Sequence, residues 1–315
     1  MVYDNDRLYN FLVHYVRWTF RLMFRSLQVC GKENIPEGSA VIYAPNHVNT
    51  LLDALAVLSM EERPVVFAAR ADIFRKKGQA KVLDFLKIIP ISRIRDGVEA
   101  LAENDRTFQV ASDTLNAGLP FCIFPEGRHS QEPGILPLRK GIARIALKAA
   151  GDMGKPVYIV PVGLVYEDLR IFRTSLKINI GAALQVSPVA EEDSAHESRR
   201  ILLDLQDSLS ALTAEKLPHR KAQVLFLRIV RVPLTFAAAI VMLPAFAIIS
   251  LILRHIKDRA FDNSIRYVAC YLINPLIILI LSLILLAAGL LPWWGVVGLT
   301  MLSLIAPSLY YNSRK

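Results

Sequence analysis

Ala40-Val41-Ile42-Tyr43-Ala44-Pro45-Asn46-His47-Val48-Asn49-Thr50-Leu51-Leu52-Asp53 passes from an unbroken apolar run, through a polar turn, into a segment with helical spacing. A short apolar run that stops at Pro reads as a buried strand, and Asn49 or Thr50 supplies an N-cap for a helix reaching Met60. The same order recurs downstream. Candidate strands cover Pro64 to Ala68, Ile88 to Ser92, Phe121 to Phe124, Val157 to Val162, Leu176 to Ile180 and Leu184 to Val186. Helices fill the gaps: Asp96 caps one through Ala117, ended by Gly118 and Pro120, and Lys140 to Ala150 is another, closed by Gly151. Glu191 to Lys216 reads as one more surface helix. Alternating strand and helix predicts a layered α/β domain around a mixed central sheet, with functional loops at the strand ends.

Composition adds a second part. With 315 residues, 53% of them hydrophobic, the chain has room for a domain of about 200 residues plus membrane helices. The apolar excess is concentrated between Val232 and Tyr311, in runs from Val232 to Leu253, from Tyr267 to about Ala288 and from Trp293 to about Tyr311. The predicted division is an amphipathic membrane-associated helix over 1–30, an α/β domain over 31–222 and a membrane anchor over 223–315, with Leu217 to Lys221 as a basic linker. The formal charge of +9, from 37 Lys and Arg against 28 Asp and Glu, draws the protein to anionic head groups, phosphorylated substrates or an acidic carrier protein. Nucleic acid is excluded as a partner, because no basic run is interleaved with aromatics on a polar segment and no zinc-finger or helix-turn-helix signature occurs. Cys30, Cys122 and Cys270 are isolated, without the paired spacing of a metal site or disulfide framework; Cys122, inside an apolar run, reads as a core thiol.

Residues 1–29 have no continuous uncharged core of the kind a secretory signal needs, since Arg17, Arg21 and Arg25 interrupt them. Arginines four apart form one stripe on a helix, while Phe11, Leu12, Tyr15, Trp18 and Leu22 supply apolar area elsewhere. Two placements follow: in the head-group layer, or packed on the domain's own core.

The turn after the first strand offers chemistry. Neutral imidazole is the side chain best matched to proton transfer near neutral pH, and His47 sits where a polar ring can reach a substrate. Asp53 is near enough to fix its tautomer, provided His47 lies before the helix begins, because six helical positions would put the two on different faces. The alternative is a capping Asp beside a satisfied histidine. A second turn, Phe124-Pro125-Glu126-Gly127-Arg128-His129-Ser130, has a glycine that lets backbone N–H groups face an anion, and Arg128 offers a planar fork for phosphate. Glu126 suits an acceptor hydroxyl or a brace for that arginine. In Ile89-Pro90-Ile91-Ser92-Arg93-Ile94-Arg95, Arg93 and Arg95 leave a strand end on one side, where one can close on a phosphate. A base beside an anion cradle and an apolar anchor suits acyl transfer to a phosphorylated lipid precursor.

Four ordered blocks now resemble the PlsC-like glycerolipid acyltransferase family: Asn46-His47 to Asp53, Ile91 to Arg93, Phe124-Pro125-Glu126-Gly127, and Val160-Pro161-Val162-Gly163. Arg139-Lys140-Gly141 with Ala143 is similar to the family's basic-Gly helix start. The resemblance spans about residues 35–190. It implies that His47 is the general base, that Asp53 is its partner, and that Arg93, Glu126 and Gly127 place a glycerol-phosphate acceptor. It also implies acyl-CoA or acyl carrier protein as donor, with no cofactor and no metal. Two departures stand out. Five residues separate His47 from Asp53 where four are usual, a spacing associated with a branch that includes glycerol-3-phosphate acyltransferases, so the acceptor is open among 1-acyl-glycerol-3-phosphate, glycerol-3-phosphate and other lysolipids, and a lipid-binding membrane protein without turnover is the non-enzyme alternative. After Pro-Glu-Gly the usual Thr-Arg-Ser is replaced by Arg128-His129-Ser130; Arg128 is expected to take the displaced arginine's task and His129 a structural one.

Charge arbitrates the topology. If all three apolar runs span, Arg254, Lys257, Arg259 and Arg266 fall opposite the catalytic domain, against the preference for basic residues inside. Pro233 and Pro244 instead predict a broken, re-entrant or interfacial first run, followed by a transmembrane hairpin over 267–311 whose far turn, Gly289 to Trp294, is uncharged. The catalytic domain and every basic loop then lie on the cytoplasmic side of an integral membrane protein.

Overall fold

The computed structural model describes residues 7–92, 98–218 and 225–312. Helix α1 (Arg7–Met23) leads into strand β1 (Ser26–Cys30), β2 (Ala40–Pro45), α2 (Leu51–Met60), β3 (Val66–Arg70), α3 (Lys77–Phe85), β4 (Ile88–Ile91), α4 (Val98–Asn116) and β5 (Phe121–Cys122). Then follow α5 (Gly141–Met153), β6 (Val157–Tyr166), β7 (Ser175–Ile180), β8 (Leu184–Val186) and α6 (Ser194–Thr213). Among the described residues the strands form one eight-stranded sheet in the order β1-β7-β6-β2-β5-β3-β4, with β8 also paired to β6. The sheet is mixed: β2 runs parallel to β5 and β6, whereas β6 runs antiparallel to β7 and β8.

The N-terminal segment differs from its expected form. The helix stops at Met23, and Ser26 to Cys30 instead pairs in parallel with Ser175 to Asn179. The arginines that would have made one stripe are drawn to separate partners. Arg17 donates to the carbonyls of Leu58, Glu61 and Glu62 at the end of α2, while Arg25 leaves the helix to pair with Glu167. A helix C-terminus concentrates unpaired carbonyls, which attracts a guanidinium more strongly than exposure to water would. Strand β1 was not legible, since Ser26-Leu27-Gln28-Val29-Cys30 is half-exposed, whereas α3 fills the gap between β3 and β4 as expected, although it is charged with no buried residue.

Alternation along β2 builds two layers. Val41 and Tyr43 point into a cluster with Leu52, Ala56 and Val57 of α2, Phe20 of α1, and Tyr267, Tyr271 and Ala306 from the C-terminal region. Ala40, Ile42 and Ala44 face Ile142, Ile145, Ala146 and Leu205 on α5 and α6, with Ala111 and Leu115 of α4. All six residues of β2 are buried, as expected of a central strand covered on both faces.

The C-terminal region is therefore one layer of the same core. Helices α7 (Leu225–Val241) and α8 (Leu243–Leu253) meet at a 60° bend. The break falls beside Pro244, in the first turn of α8, whereas Pro233 is accommodated inside α7. Helix α9 (Asp262–Tyr267) continues through a wider π turn (Val268–Ile273) into α10 (Asn274–Ala287), and α11 (Trp293–Asn312) returns. Among the described residues two helices, Arg259–Ala287 with 29 residues and Trp293–Tyr311 with 19, are long and apolar enough to cross a membrane. They would extend about 43 and 28 Å, against a hydrocarbon core of about 30 Å. Leu276, Ile280, Ile284, Trp293 and Trp294 on them are exposed. Helix α1 is pinned to this layer: Tyr15 Oη donates to the Tyr271 carbonyl at 2.6 Å and Thr19 Oγ1 lies 2.8 Å from Tyr267 Oη.

Candidate active site

Asn46 anchors the turn that carries His47. Its backbone N–H reaches the Val162 carbonyl at 3.2 Å, its Oδ1 accepts from Leu164 N at 2.6 Å, and its Nδ2 donates to Leu164 O at 3.3 Å. The β2–β6 ladder is thereby prolonged by a side chain beyond the end of the strand, so His47 emerges at a fixed point above the sheet.

The two predicted catalytic residues meet. His47 Nδ1 lies 2.9 Å from Asp53 Oδ2, and His47 precedes α2, as their separation in sequence requires. The same carboxylate oxygen accepts the backbone N–H groups of Val48 at 2.8 Å and Asn49 at 2.6 Å, while Oδ1 accepts the Tyr166 hydroxyl at 2.8 Å. An oxygen that already accepts from two backbone N–H groups acts as an acceptor towards the ring as well, which assigns the imidazole hydrogen to Nδ1 and leaves Nε2 its lone pair. Asp53 is fully buried, whereas the His47 side chain keeps 18% exposure, so the carboxylate is shielded and the ring reachable. Burial, and then the Asp53 charge, pushes the Tyr166 phenol well above its ordinary range, which keeps it a donor.

The second turn is bolted to the first. Glu126 Oε1 accepts the His47 backbone N–H at 2.7 Å and Oε2 accepts that of Leu136 at 2.9 Å; Ser130 N donates to the His47 carbonyl at 2.9 Å. Glu126 is buried, and this desolvation raises its carboxyl pKa against the opposing pull of those two N–H donors and of His47. In this arrangement both Glu126 oxygens brace loops. Phe124 stacks on the His47 ring with centroids 4.1 Å apart, and the His129 ring stands edge-on to it at 5.8 Å. Gly127 has φ +69°, and a Cβ there would meet Arg139 Cγ at 3.2 Å, so the arginine side chain lies against the glycine.

Arg128 is exposed beside the site, and Arg93 and Arg95 lie outside the described residues. Sequence reasoning missed Tyr166 as an Asp53 partner, because nothing local links a residue at the end of β6 to one 113 positions earlier. It also missed the contact of Arg139 with Gly127, although the Arg-Lys-Gly helix start pointed to that neighbourhood. Among the described residues no group of three or more His, Cys, Asp or Glu side chains gathers as metal ligands would. Cys122 is buried, which raises its thiol well above the ordinary range and suits a core role.

Residues 26–165 match the family model described as Acyltransferase. The Glycerol-3-phosphate O-acyltransferase 2 of Saccharomyces cerevisiae is 34% identical over 116 residues, which is 35% of this chain and 16% of that protein. The chain thus spans about a sixth of the length of this curated relative. Among solved structures, the 1-acyl-sn-glycerophosphate (LPA) acyltransferase PlsC of Thermotoga maritima is similar with a TM-score of 0.47 and 20% identity, covering 68% of this chain and 86% of that one. The His47–Asp53 pair, the Pro125-Glu126-Gly127 turn and Val160 to Gly163 all lie inside the segment that matches the Acyltransferase model, in the order in which they follow one another along the chain.

Proposed function

We propose that this chain is a membrane-bound O-acyltransferase that moves a fatty acyl group from a thioester donor, acyl-CoA or acyl carrier protein, to 1-acyl-glycerol-3-phosphate in phospholipid synthesis. The observation that carries this reading is the 2.9 Å contact between a half-buried His47 and a fully buried Asp53, bolted through Glu126 to a glycine turn flanked by Arg128 and Arg139.

His47 Nε2 removes the proton from the acceptor hydroxyl as its oxygen attacks the thioester carbonyl, and Asp53 stabilises the imidazolium so formed. The tetrahedral oxyanion collapses with cleavage of the C–S bond, and the departing thiolate takes the proton back from His47. Products are an ester and a free thiol. No metal or cofactor is needed for this sequence. Arg128 and Arg139, with Arg93, hold the acceptor phosphate by charge-assisted hydrogen bonds. The two apolar C-terminal helices keep the site beside a bilayer that supplies the acceptor, with the catalytic domain on the cytoplasmic side.

Glycerol-3-phosphate is a second candidate acceptor, favoured by the longer His–Asp spacing and by the similarity to a protein named for that substrate. A labelled acyl thioester offered with a panel of lysolipids and glycerol-3-phosphate separates the two. The expected result is ester formation with one phosphorylated acceptor and a loss of about a thousandfold in His47→Ala. No transfer to any acceptor, or near-normal rates in a folded His47→Ala chain, overturns the reading; a non-catalytic lipid-binding protein would give the first outcome.

A further inference from the structure

The segment between α8 and α9 touches both loops of the site. Asp258 Oδ2 lies 2.8 Å from His129 Nε2, and the Phe261 ring meets the His129 ring edge-on at 5.3 Å. On the other loop, Thr50 Oγ1 lies 2.7 Å from Ser264 Oγ and 3.4 Å from the Ala260 carbonyl, in a buried contact. Thr50 stands only three residues beyond His47 and has φ +50° and ψ −117°, a conformation that a β-branched residue adopts only when its surroundings impose it. Its hydroxyl, which would ordinarily cap α2, is engaged by the C-terminal segment instead.

We propose that Asp258 and Ser264 are positioning residues for the transfer reaction, holding His129 and Thr50 so that the segment Asp258–Ser264 forms a third wall of the acceptor site. The C-terminal region is then part of the active site as well as an anchor. Asp258 accepts a hydrogen bond from Ala260 N and faces His129, and both hold its carboxyl below the ordinary range. As an ionised acceptor it orients His129 with Nε2–H towards it. The His129 ring flanks the His47 imidazole, which takes its proton from the acceptor hydroxyl, so this wall bears on the acceptor and leaves the donor's distant part untouched. The inference rests on the acyl-transfer reading for its kinetic test, and a second readout is independent of it.

The test uses the full chain in liposomes. Asp258→Ala and His129→Ala, made singly and together, are expected to raise the acceptor KM about tenfold while the donor KM moves less than twofold. The double variant should lose no more than the larger single loss, because the two act through one contact. A partly unfolded sample would lower kcat and leave both KM values alone. The independent readout is modification of His47 by diethyl pyrocarbonate, followed by mass spectrometry. Loss of the Asp258 contact should free the His129 ring and speed His47 modification several-fold, while buried Cys122 stays unreactive to a thiol reagent. Unchanged acceptor KM, additive losses in the double variant, or unchanged His47 modification each overturn the proposal. A chain that transfers no acyl group yet shows the faster His47 modification refutes the functional reading alone.

Discussion

The Tyr166 hydroxyl donates to Asp53 Oδ1 at 2.8 Å, so the last residue of β6 steadies the carboxylate that orients His47. A hydrogen bond to a charged group is worth about 1.5–3 kcal/mol, and its removal leaves Oδ1 with one fewer donor in a buried site. Tyr166→Phe should lower kcat about tenfold and destabilise the fold by about 1–3 kcal/mol. Because the phenol is held well above its ordinary range, the pH–rate profile should keep its shape near neutrality. Steady-state rates across pH check both points, and a changed acid limb with unchanged kcat would contradict them.

Glu126 gives a prediction with a sign in pH. Burial raises its carboxyl pKa above the ordinary 4.5, so the folded chain holds this proton more tightly than the unfolded chain does. Its contribution is fully present below the ordinary carboxylate value and diminishes as the pH rises through the raised one. Glu126→Gln does not titrate and turns one acceptor into a donor facing His47 N–H or Leu136 N–H, a loss of about 1–3 kcal/mol. The melting-temperature gap between the two proteins should be widest in acid and narrow toward neutral pH. A gap that widens with pH would mean that the two N–H bonds outweigh burial.

Gly127→Ala and Gly38→Ala make a matched pair. Both glycines have positive φ, +69° and +67°, but an added methyl meets Arg139 Cγ at the first and nothing within 4 Å at the second. Each substitution should cost about 1–2 kcal/mol of backbone strain. Only Gly127→Ala should also weaken acceptor binding, because Arg139 must move. Equal KM values in the two variants would remove Arg139 from the anion cradle.

The membrane arrangement is tested by labelling. Lys257 adjoins Asp258, which touches His129, so a cysteine at 257 is expected to react with an impermeant thiol reagent from the same side as one at exposed Glu132. A cysteine at Leu290, in the turn between the two long helices, should react from the opposite side. Labelling of position 257 from the Leu290 side would refute the re-entrant reading of α7 and α8.

The strands and helices that position the site were legible where apolar periodicity was strong. Ala40 to Ala44 and Val157 to Val162 were read within a few residues because central strands buried on both faces are continuous apolar runs. Helix α2 was legible through its polar entry turn. β1 was not: it is an edge strand with half-exposed residues, and a charged stripe upstream suggested that the helix continued. β6 runs four residues past its predicted end because β7 pairs with it as far as Tyr166, a contact invisible in local pattern.

The contact between His47 and Asp53 was foreseeable from sequence because an imidazole, a carboxylate and a helix start lie within one short segment, where chain geometry limits the possibilities. The apolar C-terminal runs were equally plain, since a length suited to crossing lipid is a local property. Tertiary structure alone decided what surrounds the pair: Tyr166 on Asp53, Glu126 under the His47 backbone, Arg139 over Gly127, and Asp258 against His129. Each of these contacts joins segments whose approach is set by sheet order and by which layer a helix covers. Those are consequences of burying apolar faces across the whole chain, and no local run of residues encodes them.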